Sequence, residues 1–122
     1  MHRYAISRSG RPAGKGIAQG SADDWQRLKQ VYGFTEEQAL AHPSNPVDSL
    51  APIAAAGIPI IAVYGDADVD LPPEENILLL EERFTALGGH ITVTAKPGVG
   101  HHPHSLADPT PLSGFILSHV SP

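Results

Sequence analysis

The sequence predicts an α/β fold of two parallel strands with flanking helices and an incomplete sheet. Three observations lead there. The run Ile58-Pro-Ile-Ile-Ala-Val-Tyr64 is apolar almost throughout and does not alternate, which suits a strand covered on both faces. A second run, His90-Ile-Thr-Val-Thr-Ala95, follows a helical stripe and so completes a βαβ order. Only these two runs in 122 residues read as strands, and an isolated strand pair is marginal in water.

The elements follow in order. Residues 1–20 read as an irregular Gly-rich segment, punctuated by Gly10, Pro12, Gly14, Gly16 and Gly20. Residues 21–56 read as helical. Ser21 with Asp24 resembles a capping box, and Trp25, Leu28 and Val31 are expected on one face. Thr35 with Gln38 repeats the cap for a short helix through Ala41, and His42 to Pro46 is a loop. A further helix is expected over 49–56, closed by Gly57. Residues 57–122 then read as a βαβα unit. In it, Pro72-Pro73 opens a helix with Glu74 and Glu75 at the positive end of its dipole. Its stripe is Ile77, Leu80, Phe84 and Leu87, and Gly88-Gly89 stop it. After the second strand, Pro109 or Pro111 starts a last helix with Leu112, Phe115, Ile116 and Val120 toward a core.

Composition removes several classes of function. A net charge of -5 and the lack of a basic stripe argue against nucleic acid. The one basic cluster, Arg3, Arg8, Arg11 and Lys15, lies in the Gly-rich segment. With no cysteine, disulfides, thiolate metal sites and cysteine nucleophiles are excluded. No run approaches the ~20 apolar residues of a membrane span, and the N-terminus lacks a charged-then-apolar signal pattern. Gly10 to Gly16 is not a phosphate loop: its glycines are too close together, and Gly16 stands where Ser or Thr is required.

Two polar loops follow the strands, and ligands in open α/β sheets bind beyond the carboxyl ends of strands. The first runs from Tyr64 to Pro72 and carries Asp66, Asp68 and Asp70; the second runs from Gly98 to His104 and carries His101, His102 and His104. Neighbouring strands would bring the loops together, so that a carboxylate could hold an imidazole in one tautomer. The competing readings are turn aspartates and solvated loop histidines. A metal site is a further alternative, but Pro103 interrupts the histidines and none has helical spacing. A calcium loop fails, with Leu71 where Gly is needed and Ile77 where Glu is needed.

The two loops resemble those of α/β-hydrolases of the prolyl oligopeptidase and acyl-esterase groups. Tyr64-Gly65 stands for the family's His-Gly, Asp68 for its Asp and Leu71-Pro72 for its Val-Pro, and Gly98-Val99-Gly100-His101 resembles its Gly-x-Gly-His. The resemblance runs from about Gly14 to the C-terminus, where residues 14–25 resemble an insertion before the acid strand. It implies the C-terminal part of an α/β-hydrolase fold, with Asp68 as acid and His101 as base; Asp66 and His102 are the alternates. It further implies a small-molecule ester or peptide substrate and no cofactor. The family's Gly-x-Ser-x-Gly elbow does not occur in the chain. Ser7, Ser9, Ser44 and Ser105 all lie in the wrong context for a nucleophile. The expectation is therefore a hydrolase piece that is inactive alone. The other expectation is a non-catalytic module that self-associates, or pairs with a missing N-terminal half, through its exposed half-sheet.

Overall fold

A computed structural model describes residues 22–43 and 46–120. The expectations for the Gly-rich segment and its basic cluster, the Ser21 cap, and Ser44-Asn45 in the Pro-rich loop lie outside the described residues.

Helix α1 (Ala22–Tyr32) carries Asp23 and Asp24 in its first turn and Lys29 in its last, matching the helix dipole. Trp25 is buried, and its indole N–H donates to Glu36 Oε2 at 2.9 Å; Lys29 Nζ reaches the same oxygen at 2.7 Å. Glu36 opens α2 (Glu36–Ala41), so a single carboxylate ties the two helices together. The Thr35–Gln38 capping box is present in both directions. Val31 does not share the Trp25 face and is 74% exposed. At about 100° per residue, six residues carry it about 120° round the helix from Trp25.

Next come a 3-10 turn (Pro46–Asp48) and α3 (Ala51–Ala55), a shorter helix than 49–56. Gly57 closes α3 with φ +68°, and Ile58 N–H reaches back to Ile53 O at 3.2 Å. That left-handed residue is the reason for glycine at the helix end.

Strands β1 (Ile60–Gly65) and β2 (Ile91–Lys96) pair in parallel, Ile60 opposite Ile91 through Gly65 opposite Lys96. The architecture is thus mixed α/β. β1 begins after Pro59, and its first bond is Ile60 N–H to His90 O at 2.9 Å. It is half-buried along its length rather than covered on both faces, and only Gly65 is buried. Among the described residues the sheet has just these two strands, so each strand has an unpaired edge.

Helix α4 (Ile77–Ala86) joins the strands. It does not start at Pro72-Pro73: a 3-10 turn (Pro73–Glu75) comes first, and Asn76, with φ −129° and ψ −90°, separates the two. Glu74 and Glu75 therefore sit in the turn that precedes α4 rather than in its first helical turn. Phe84 is fully buried, whereas Leu87, past the helix end, is 49% exposed. Arg83 Nη1 donates to Val47 O at 2.9 Å and to Asp48 Oδ1 at 2.7 Å, holding the first 3-10 turn against α4. Among the described residues, Trp25, Val47, Leu50 and Phe84 are the buried large apolar side chains.

Helix α5 (Thr110–His119) starts after Asp108, whose Oδ1 accepts from Thr110 N at 3.0 Å and Thr110 Oγ1 at 2.6 Å. Leu112 and Phe115 are half-buried, but Ile116 and Val120 are 61% and 59% exposed, contrary to the expected core face. Val120 lies beyond the last helical residue, and a two-stranded sheet is too narrow to cover the remaining side of α5.

Gly65 ends β1 against the histidine loop. A Cβ there would overlap the carbonyl oxygens of Val99 and Gly100, which are backbone atoms with little freedom to yield. Gly65→Ala is expected to lower stability by about 1–3 kcal/mol. Urea unfolding checks this, and a variant as stable as the wild type would contradict the close approach.

Candidate active site

The register of β1 with β2 places their following loops side by side. Backbone and side-chain bonds then join them. Asp66 N–H donates to Lys96 O at 3.2 Å, Ala67 N–H to Val99 O at 3.0 Å, and Gly98 N–H to Asp66 Oδ1 at 2.7 Å. Lys96 Nζ donates to Pro103 O, which fastens the far end of the histidine loop.

Asp68 and His101 meet across this junction, with His101 Nδ1 2.9 Å from Asp68 Oδ2. The other carboxylate oxygen, Oδ1, accepts from Asp70 N–H and Leu71 N–H, both at 2.9 Å. Asp68 is thus both a turn aspartate and the partner of a histidine. Its side chain is 11% exposed, against 29% for His101. An ionised carboxylate only accepts hydrogen bonds, so in the neutral ring the proton sits on Nδ1 and Nε2 is left as the acceptor.

The remaining candidates separate clearly. Asp66 does not contact an imidazole through the bond that it makes; it holds Gly98 in place. His102 is exposed and packs edge-on to His101, with ring centroids 5.0 Å apart. His104, exposed as well, lies 5.1 Å from His101 in the same arrangement. The histidine nitrogens of 101, 102 and 104 fall within 4.8 Å of one another, as do ligand atoms of Asp68, Asp70 and His101. Pro103 therefore does not scatter the histidines.

A cleft of about 340 Å³ opens at this point, walled in part by Tyr64, Asp68, Asn76, Lys96, His101 and Ser105. That volume lies within the range of small-molecule sites. Two of these residues had no signal in the sequence. Lys96 lay just beyond the expected strand, and its role needs the histidine loop to fold back so that Pro103 O meets its ammonium. Asn76 sits in the link between turn and helix. Its Nδ2 donates to Pro72 O at 3.0 Å, which fixes the amide orientation and leaves Oδ1 buried without a hydrogen-bond partner. Ser105, with φ 60°, lines the cleft, but among the described residues no serine hydroxyl is hydrogen-bonded to His101. No protein-family model, curated protein or solved structure matches the chain.

Burial pushes the Asp68 carboxyl up. The Leu71 N–H, the hydrogen bond and charge of His101, and the Asp70 N–H together outweigh it, holding the group below the ordinary carboxylate value. Such a group adds stability that is fully present above the unfolded pKa, about 3.9, and is lost as pH falls through the lower native value. Carbon-detected NMR titration is expected to show Asp68 moving up in His101→Ala. Asp68→Asn should flatten the fall of stability below about pH 4. An unmoved Asp68 titration in His101→Ala would contradict the pairing.

Proposed function

We propose that Asp68 and His101 are the acid and base of an α/β-hydrolase-type catalytic triad acting on carboxylic esters or short peptides. The observation that carries the reading is the 2.9 Å contact between them, beyond the carboxyl ends of two parallel strands and beside a cleft. In this chemistry a serine attacks the acyl carbon, and His101 Nε2 takes the hydroxyl proton. The same nitrogen returns that proton to the leaving group, while Asp68 holds the ring and stabilises its cation. The match of Tyr64-Gly65, Asp68, Leu71-Pro72 and Gly98 to His101 with the family's loops supports the same assignment. The reading requires a nucleophile from polypeptide outside these 122 residues, which lack the Gly-x-Ser-x-Gly elbow.

A second reading has its own observation. Ile116 and Leu117 of α5 are 61% and 73% exposed, and among the described residues both strands have an unpaired edge. Such a surface suits a chain that binds another copy or a complementary half. Sedimentation as a monomer with cooperative unfolding argues against this second reading.

The chain alone is expected to hydrolyse an activated ester with neither a burst nor saturation. Joined to the coding sequence upstream of it, it is expected to gain saturable activity, which Asp68→Asn lowers about 10⁴-fold in kcat. A burst from the chain alone that His101→Ala abolishes would contradict the missing nucleophile. A joined protein without esterase or peptidase activity would overturn the catalytic reading.

A further inference from the structure

Three imidazoles converge on the short loop after β2, more than an acid–base pair requires. The ring centroids of His101, His102 and His104 are 5.0, 5.1 and 4.4 Å apart taken pairwise. One nitrogen from each lies within 4.8 Å of the others. We propose that His101, His102 and His104 bind one divalent transition-metal ion of the zinc class, with Asp68 orienting His101 from behind.

The donor set selects the ion. Neutral imidazole suits zinc, copper and nickel, whereas magnesium and calcium take oxygen ligands. Zinc–nitrogen bonds of about 2.0–2.1 Å in a tetrahedron put the nitrogens about 3.3 Å apart. His102 and His104 are exposed, so their rings can turn inward by the ångström or two that this needs.

The fixed part of the site is His101. Its Nδ1 faces Asp68 Oδ2 at 2.9 Å, leaving Nε2 for the ion. A carboxylate behind a ligating histidine sets the tautomer and raises its basicity, as in carboxylate–histidine–zinc arrangements. Asp68 and Asp70, each with an oxygen within 4.8 Å of a His101 nitrogen, also supply negative charge beside a cation. The nearby Lys96 ammonium is engaged at the Pro103 carbonyl, where it anchors the backbone between His102 and His104.

An ion on His101 Nε2 would occupy the lone pair that the proposed hydrolysis uses to take the serine proton. Zinc would then inhibit that reaction. This consequence rests on the catalytic reading; binding of the ion does not.

The test is titration of the whole chain with zinc alone, by calorimetry, with ring-nitrogen NMR to locate the ion. One equivalent is expected, with signals of the three loop histidines perturbed. His102→Ala and His104→Ala, both at exposed positions, should each weaken binding at least about tenfold, and Asp68→Asn about 10–100-fold. Far-UV circular dichroism should be unchanged in the two histidine variants. A chain that takes up no zinc overturns the proposal. So does a double variant, H102A/H104A, that binds as tightly as the wild type, or an ion located at His42, His90 or His119.

Discussion

Six parallel residue pairs, from Ile60–Ile91 to Gly65–Lys96, bring the carboxyl ends of β1 and β2 to one edge. Everything at the site follows from that register. Asp68 lies three residues past the end of β1, and His101 five past the end of β2. A slip of one residue would turn every side chain of a strand to the opposite face and move one loop along the other by about 3.3 Å. The bonds between Asp66, Ala67, Lys96, Val99 and Gly98 hold the register at its open end. Gly65 permits them, because the loop backbone occupies the space of a side chain there.

Asp68 divides its work between two oxygens. Oδ1 shapes its own loop through Asp70 and Leu71, and Oδ2 meets the imidazole. Hydrogen bonds to the ionised form more than offset the cost of its burial, so the carboxylate stays charged and can orient a histidine. The loop opposite is held by Lys96 at Pro103, which leaves His102 and His104 exposed around His101. One histidine nitrogen thereby becomes the focus of both proposals, proton transfer and metal binding.

Much of this was legible in the sequence, for identifiable reasons. The unbroken apolar run at β1, the alternating run at β2, the Thr35–Gln38 box and the Gly57 stop are local signals, and local structure obeys them. That a carboxylate of the first loop meets an imidazole of the second was readable because loops after neighbouring parallel strands share an edge, whereas the choice of Asp68 and His101 came from the resemblance of the two loops to those of α/β-hydrolases. The rest depended on contacts distant in the chain. At Asn76 the expected helix is broken by a non-helical backbone, φ −129° and ψ −90°, beside a side-chain bond to Pro72, which no periodicity reveals. Ile116 and Val120 kept an apolar pattern with no partner among the described residues to bury them. The convergence of three histidines around Pro103 requires a backbone path that composition does not contain.

The tautomer of His101 tests the central contact most directly. Long-range nitrogen–proton NMR, at alkaline pH, reads which ring nitrogen carries the proton. The Asp68 contact predicts that the proton is on Nδ1, with Nε2 bare, and that Asp68→Asn disturbs this state. A proton on Nε2, or an averaged signal like that of an exposed ring, would mean that Asp68 does not hold His101. The acid–base pair would then be contradicted.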